Sequence, residues 1–309
     1  MKINLILSRN NWTSFHQTAF TNTIADYFNI VYIEDGNIPT KDNSLLVSNL
    51  TKDRWYTDLY HQGYSLVVDL LWGGWSFDLP DAFILTTPNW FWYNESLLYQ
   101  TRGYQNYQPN RKYIKKSLMP MGLIKESHDM LYNRVSEYLD DFIWSYIQRV
   151  GKSLPNDAPH NLPGITEQDQ RYFNPEWYDH TYFSLVSETT VDNNFPLHIT
   201  EKSFKPIAFQ HPYMIWGQTG LLNHLHSLGF ESYENLFDES YDIEPNNIRR
   251  VEMIVANINK LKYVEYDELT NKKIQHNHQL FFNFDIINAR IKQEIVNPII
   301  EFFENSRHS

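Results

Sequence analysis

The sequence predicts an α/β protein built on parallel β-sheets. Short apolar runs alternate with helix-like stretches through the first third of the chain, and strand-like and helix-like patterns resume after a polar segment. Helices placed between strands return the chain across a sheet, so the strands run parallel and both sheet faces are covered. A length of 309 residues corresponds to about two domains.

Five strands are expected in the first third, because each is a short run of apolar residues. They are 3–7, 30–33, 44–47, 64–71 and 82–85. A helix is expected over 11–28, and the polar segment 100–112 is the expected linker. The later elements expected are a strand at 113–119, helices at 123–135 and 135–150, an exposed loop at 151–169, and a strand–loop–helix–strand unit over 184–220.

The end of the chain is expected to be helical. Isoleucines recur at helical spacing between 286 and 299, and Pro298 is expected to bend that helix. We therefore expect a Rossmann-like domain over 1–110, a second one over 111–285, and a terminal helix over 286–309 that packs back on the rest of the protein.

Composition excludes several classes of protein. The net charge of −11 is unlike that of a non-specific nucleic-acid coat, which is basic. The chain has no cysteine, so disulfides and thiolate zinc sites are excluded. No apolar run approaches the ~18 residues of a membrane span, and the first residues are typical of a core strand rather than a signal peptide. We expect a soluble cytoplasmic protein.

Common cofactor signatures are missing from the sequence. There is no G-x-G, no G-x-S-x-G and no pair of aspartates at i, i+2. The histidine pairs 224/226 and 276/278 have a spacing that does not bring side chains together on a helix. We therefore expect no metal site.

The segment Thr200-Glu201-Lys202 is the most informative motif. Thr200 is a suitable helix cap, which places Glu201 and Lys202 in the first turn. A lysine there opposes the helix dipole, and a bound anion would explain it. The simpler alternative is that Glu201 and Lys205, four residues apart, form an ordinary surface ion pair.

These residues carry a resemblance to a known family. Ile199-Thr200-Glu201-Lys202, with Ser187-Glu188-Thr189 upstream, resembles the donor half of GT-B glycosyltransferases, and in particular the fucosyltransferase-like C-terminal domain. The segments 228–230 and 237–242 resemble small virus-encoded or phage-encoded members of this group. The resemblance covers about residues 113–265. It implies two Rossmann-like domains that face each other across a cleft.

The resemblance also implies roles for individual residues. Glu201 would accept hydrogen bonds from the ribose, and Lys202 would neutralise the diphosphate without a metal. Lys125 or Arg134 would reach the donor in place of an arginine common in the family. No cofactor is implied beyond the nucleotide sugar. The donor-binding residues expected on this basis are Glu201, Lys202, Thr200, Lys205, Ser187, Glu188 and Lys125.

The catalytic base of an inverting enzyme is expected in the first domain. Asp69 ends the fourth expected strand, where ligands of open α/β sheets collect. Glu34, Asp35 and His16 are rivals on the same edge, and the alternative is that Asp69 merely ends a strand.

The acceptor site is expected to be aromatic. Four tryptophans near the ends of strands could form a stacking wall, although core packing is the alternative: Trp72, Trp75, Trp90 and Trp92. A hydroxymethylated base in viral DNA is the favoured acceptor, because basic residues between 102 and 116 alternate with tyrosines. A glycan or protein hydroxyl, a non-catalytic nucleotide- or sugar-binding module, and a plain α/β scaffold are the alternatives.

Overall fold

The protein consists of two compact units, each with its own parallel sheet. The computed structural model describes residues 2–9, 21, 23–49, 56–69, 81–121, 124–152, 154, 174–261 and 265–307. Unit 1 comprises Met1–Asn94, Asn194–Pro196 and Phe284–Ser309, and unit 2 comprises Glu95–Asn193 and Leu197–Asn283. The predicted α/β class with two parallel sheets is confirmed. The domain boundaries predicted at 110 and 285, and the cleft of the GT-B arrangement, stay predictions.

Among the described residues, the sheet of unit 1 contains five parallel strands, and each overlaps a predicted one. They are β1 (Asn4–Leu7), β2 (Asn29–Tyr32), β3 (Ser44–Asn49), β4 (Ser65–Asp69) and β5 (Phe83–Leu85). Their order is β2-β1-β3-β4-β5. Leu46 of β3 lies in register with Ile6 of β1 and with Leu66 of β4, and all three are fully buried. Adjacent buried side chains on neighbouring strands form the core of this unit.

In the part of unit 2 that the structure describes, the sheet contains four parallel strands. They are β6 (Lys115–Met121), β7 (Phe142–Tyr146), β8 (Thr181–Ser187) and β9 (Tyr213–Trp216). Their order is β7-β6-β8-β9, so the chain moves to one side of β6 first and then to the other. Every residue of β8 and β9 is buried, as expected for strands covered on both faces.

The helices of the described ranges lie between these strands and after them. In chain order they are α1 (Thr57–His61), α2 (Trp90–Thr101), α3 (Glu126–Val135), α4 (Ile147–Val150), α5 (Pro175–Asp179), α6 (Glu201–Ala208), α7 (Leu221–Ser227), α8 (Asn247–Lys260), α9 (Glu268–Phe281), α10 (Phe284–Ile291) and α11 (Asn297–Ser306). None of them is both long enough and apolar enough to cross a membrane.

One predicted helix is wrong. The stretch 135–150 contains 3-10 turns over Ser136–Asp141, then β7, and only then the single turn of α4. The sequence of β7, FIWSY, is rich in β-branched and aromatic residues, which favour a pleated, half-buried strand. The stretch predicted as one helix is therefore three short elements.

The predicted linker is partly ordered structure. It begins in the last turn of α2 and continues as a 3-10 turn at Tyr104–Asn106. Tyr104 and Tyr107 both meet the ring of Phe209 edge-on, at centroid distances of 4.9 and 5.1 Å. These contacts make the segment part of the packing of unit 2.

The terminal helix belongs to unit 1, and its packing back on the rest of the protein stays a prediction. A π-helical turn, Lys292–Val296, joins α10 to α11. Pro298 lies in the first turn of α11 and has no N–H to donate to the turn before it. The Glu294 carboxylate in the π turn accepts hydrogen bonds from Asn89 Nδ2 at 2.9 Å and from the Tyr93 hydroxyl at 2.5 Å.

We expect the substitution Glu294→Ala to destabilise unit 1. It removes three hydrogen bonds to a charged acceptor, from Asn89, the fully buried Tyr93 and Arg290, and the expected loss is about 2 kcal/mol. Urea unfolding followed by tryptophan fluorescence measures the change. Glu301→Ala, at an exposed position of α11, is the control and should change stability by less than about 0.5 kcal/mol. Equal losses in the two variants would contradict this account of the terminal helix.

Candidate phosphate-binding site

The candidate site lies at the carboxyl ends of β6 and β8. The chain leaves β6 toward β7 on one side and later returns to form β8 on the other. Loops that leave adjacent strands in opposite directions open a crevice, and open α/β sheets bind ligands there. Lys125 follows β6, and Glu188 and Thr189 follow β8.

Glu188 organises the loop that leaves β8. Its side chain is fully buried, and its carboxylate accepts four hydrogen bonds. Thr200 donates through its backbone N–H at 3.0 Å and through its hydroxyl at 2.7 Å. The Ser203 hydroxyl donates at 2.5 Å and the Thr189 N–H at 3.2 Å. A buried carboxylate needs such partners because burial removes its hydration.

Helix α6 starts where the motif predicts. Thr200 has an extended backbone and is the N-cap, with its hydroxyl accepting from the Lys202 N–H at 3.4 Å. Glu201 and Lys202 therefore lie in the first turn, and both are half-buried. The predicted cap at Thr200 is confirmed, and the positive end of the helix dipole lies beside Lys202.

Lys125 occupies the equivalent place on α3. It is the N-cap residue of that helix, and its side chain makes no capping hydrogen bond. Two contacts from neighbouring strands fix the start of α3: the Trp216 indole N–H donates to the Ser127 carbonyl at 2.8 Å, and His128 Nε2 lies 3.3 Å from the Glu188 carbonyl. Lysine is not a favoured cap, because its charge opposes the helix dipole.

The two lysines meet at Thr189. Lys125 Nζ lies 3.4 Å from the Thr189 carbonyl oxygen, and Lys202 Nζ lies 3.1 Å from the Thr189 hydroxyl oxygen. Within the part of the chain that the structure describes, neither ammonium group forms an ion pair with a carboxylate. Two cations and two helix N-termini thus converge on one residue.

This arrangement raises the cost of charging Lys125. Burial, and next the nearby charge of Lys202, lower the pKa of the Lys125 ammonium to about 8, while Glu188 and Glu201 oppose the shift. Burial also lowers the pKa of His198, in the loop before α6. A bound anion would reverse the penalty, because it replaces repulsion between cations with attraction.

The neighbouring helix α7 offers no comparable site. The Asp242 carboxylate already accepts from the Leu222 N–H at 3.0 Å and the Asn223 N–H at 3.1 Å. The buried Arg250 donates to the Gly217 carbonyl at 2.6 Å and lies over the Trp216 ring. The protein's own carboxylate therefore fills the N-terminus of α7, whereas lysines lie at the N-termini of α3 and α6.

The other expected donor residues are placed as follows. Ser187 is buried at the end of β8, and among the described residues its hydroxyl has no hydrogen-bond partner. Lys205 is half-buried in the last turn of α6. Arg134 lies at the far end of α3 and pairs with Glu252 at 3.6 Å. Lys125 and Lys202 are thus brought together, and Arg134 pairs elsewhere.

The expected catalytic residues belong to unit 1. Asp69 is the last residue of β4, opposite Asn49 of β3 and Leu85 of β5. His16 lies outside the described residues. The Asp35 carboxylate forms two hydrogen bonds with Arg9, which lower its pKa. A lowered pKa makes a carboxylate a weaker base.

Glu34 is the remaining rival for the catalytic base, and only two of the four tryptophans lie within the described residues. Glu34 accepts from the Ser8 hydroxyl at 2.5 Å. Trp90 and Trp92 are buried in α2, and their role in binding an acceptor stays a prediction. Trp72 and Trp75 lie outside the described residues.

The histidine pairs do not form a metal cluster. His276 Nε2 lies 2.9 Å from the Gly229 carbonyl oxygen, and the ring nitrogens of His278 lie 3.1 Å from the carbonyl oxygens of Ala208 and Gln105. Across the described ranges, no group of three or more histidine, aspartate or glutamate side chains is placed to hold a metal ion.

The hydrogen bonds by which Glu188 joins these residues were not predicted from the sequence. Glu188 was expected to be a ligand of the donor, whereas the structure shows a buried acceptor for the cap of α6. The signal was available in the sequence: a carboxylate directly after a strand that contains Tyr182, Phe183, Leu185 and Val186 must find several donors if it is buried. The supporting contacts of His128 and Arg250 had no signal, because they depend on which helices pack against the sheet.

Comparison with known proteins finds structural likeness only. No protein-family model matches the sequence, and no curated protein matches it. A crystal structure of an α1,3-fucosyltransferase is similar with a TM-score of 0.49 and 12% identity over 93% of this chain and 92% of that one. One of an α1,3-fucosyltransferase with GDP-fucose has a TM-score of 0.43 and 10% identity over 91% and 90%. At TM-scores below 0.5, activity must be argued from the residues of this chain.

Proposed function

We propose that the protein is a glycosyltransferase that binds a nucleotide-diphosphate sugar in unit 2. The observation that carries the proposal is the meeting of Lys125 and Lys202 at Thr189, each at the N-terminus of a helix. Helix N-termini bind anions through free N–H groups and the helix dipole. Two adjacent cations favour an anion with at least two charges, which a diphosphate provides.

The diphosphate is also the leaving group of such a transfer. The acceptor oxygen bonds to the sugar carbon, the bond between that carbon and the diphosphate oxygen breaks, and negative charge develops on the diphosphate. Lys202 and Lys125 would stabilise that charge where it appears, as preorganised cations do. The proposal therefore requires no metal ion, and turnover should survive addition of EDTA.

The nucleoside would be held by the first turn of α6. Glu201 is half-buried there, beside Lys202, and is proposed to accept hydrogen bonds from the ribose hydroxyls. Ser187 and Lys205 are proposed as additional contacts. Thr200 and Glu188 are proposed to contribute by shaping the site, because their polar atoms already bind each other.

The acceptor proton needs a base. We propose Asp69, at the carboxyl end of β4, for an inverting transfer in which its carboxylate takes the proton as the acceptor oxygen attacks. For the acceptor we propose a hydroxymethylated base in viral DNA, on the basic segment between 102 and 116. In that segment Arg111 donates to the Gln210 carbonyl, Lys115 donates to the Asp140 carbonyl, and Lys116 pairs with Asp141. These bonds reduce the charge available to DNA, so glycan acceptors belong in the same assay.

We expect calorimetry to show that nucleoside diphosphates bind more tightly than monophosphates. UDP, GDP and ADP are compared with UMP, GMP, AMP and CMP on the wild type. The preferred diphosphate should bind about tenfold more tightly than its monophosphate, because only it can contact both lysines. Lys202→Met should weaken it by about tenfold or more, and Glu201→Ala should weaken diphosphate and monophosphate alike.

Lys272→Met is the matched control for this measurement. Lys272 is an exposed lysine paired with Glu268 on α9, so its loss should leave nucleotide affinity unchanged. The proposal would be refuted by a wild type that binds none of these nucleotides, or by a Lys202→Met variant that binds them normally.

We expect Asp69→Asn to lower kcat by at least about a hundredfold while the donor affinity stays unchanged. The amide cannot accept the acceptor proton, but the donor site is in unit 2. Turnover is measured with the diphosphate sugar chosen by calorimetry, using hydroxymethylated DNA and glycans as acceptors. Asp35→Asn is the control, since Asp35 is bound to Arg9. Full turnover by Asp69→Asn would show that another group is the base.

A further inference from the structure

Glu188 is unusual because its charged side chain is fully buried. Its carboxylate is fully buried next to the meeting point of two lysine side chains, yet all four of its hydrogen bonds come from backbone and hydroxyl donors. It therefore neither forms an ion pair with the lysines nor presents an oxygen to a bound molecule. Its role must lie in what it does to its neighbours.

The geometry shows what the carboxylate holds in place. One oxygen binds the Thr200 N–H and the Ser203 hydroxyl, both on the first turn of α6 or its cap. The other binds the Thr200 hydroxyl and the Thr189 N–H. A single side chain thus joins the loop after β8 to the start of α6. This sets the separation between Thr189 and Lys202.

The Glu188 side chain is also closely packed around its Cβ atom. Gly217, directly after β9, approaches so closely that an added Cβ would lie 3.2 Å from the Glu188 Cβ and 2.8 Å from Leu221 Cδ1. A side chain at 217 would therefore push against Glu188, and the glycine lets β9 and the start of α7 pack behind it.

The charge of Glu188 also affects the protonation of Lys125. Lys125 is acted on by Lys202 and Glu201 from the first turn of α6, and by Glu188 from the end of β8. Lys202 disfavours the Lys125 cation, and the two carboxylates favour it. His198, another titratable group here, is subject to the charges of Glu188, Glu201 and Lys202 and also to that of Lys125.

We propose that Glu188 is a positioning residue for phosphate binding: its carboxylate fixes Thr189 between the two lysines, and its buried charge favours the Lys125 cation. The inference rests on the proposed function and deepens it. It adds a regulatory consequence, since the affinity for a polyanion becomes dependent on pH. Lys125 loses its proton as the pH rises through its pKa of about 8, and affinity falls with it.

The test is the affinity for inorganic pyrophosphate between pH 6 and 10, measured by calorimetry on the full chain. Glu188→Gln keeps the shape but removes the charge and places an amide N–H₂ against hydroxyl and N–H donors. We expect its affinity at pH 7 to fall about tenfold. The alkaline decline should also move to lower pH by about one unit, because an attractive charge near Lys125 is gone. A purely structural role would not move that decline.

Two further variants keep the test decisive. Glu239→Gln alters another largely buried carboxylate of unit 2, which is not among the charges acting on Lys125, and should change neither affinity nor its pH dependence. Ser203→Ala keeps the Glu188 charge and removes its 2.5 Å hydrogen bond. It should lower the affinity about threefold without moving the alkaline decline, which provides a test even if Glu188→Gln fails to fold.

The outcomes separate the two proposals. A wild type that binds no pyrophosphate would overturn the phosphate site and this inference together. If the wild type binds while Glu188→Gln retains both its affinity and its alkaline decline, the inference is overturned and the proposed function stands. If Ser203→Ala binds as the wild type does, Glu188 does not position the site.

Discussion

The hydrogen bonds of the Glu188 carboxylate are the constraint on which the candidate site depends. Strand β8 delivers this side chain into a fully buried position, where it must satisfy a charge without water. It does so by binding the cap and first turn of α6 and the next residue of its own loop. These hydrogen bonds hold the start of α6 and the backbone of Thr189 in place.

Two neighbouring lysines distinguish the crevice at the ends of β6 and β8 from an ordinary sheet edge. A lysine at a helix N-terminus is unfavourable, and here two of them share one neighbour. Asp242 neutralises the N-terminus of α7 nearby, so the fold can cap a helix with a carboxylate. Placing a lysine at the N-terminus of α3 makes its charged form unfavourable in the protein alone, and we propose that a bound polyanion offsets this cost. Such departures from local rules are expected at functional sites.

Local patterns in the sequence predicted much of the fold and part of the candidate site. All five strands of unit 1, the cap at Thr200 and the position of Lys202 followed from apolar runs and capping chemistry. Strand β7 lies in the stretch 135–150 that was wrongly predicted as helix, although its sequence FIWSY is rich in β-branched and aromatic residues. The convergence of Lys125 with Lys202 could not be derived from spacing. It requires that β6 and β8 be neighbours, which long-range strand pairing decides.

The central claim is that burial and the neighbouring charge of Lys202 make a charged Lys125 unfavourable in the ligand-free protein, and the pH dependence of stability tests it most directly. The folded pKa of Lys125, about 8, lies below that of an unfolded lysine, so the unfolded state binds more protons between those values and stability rises with pH there. Denaturant unfolding of wild type and Lys125→Met at pH 7 to 10.5 measures this. The account predicts that Lys125→Met is the more stable protein at pH 7, and that the difference shrinks as the pH rises. A variant less stable than the wild type at pH 7, by a margin independent of pH, would contradict it.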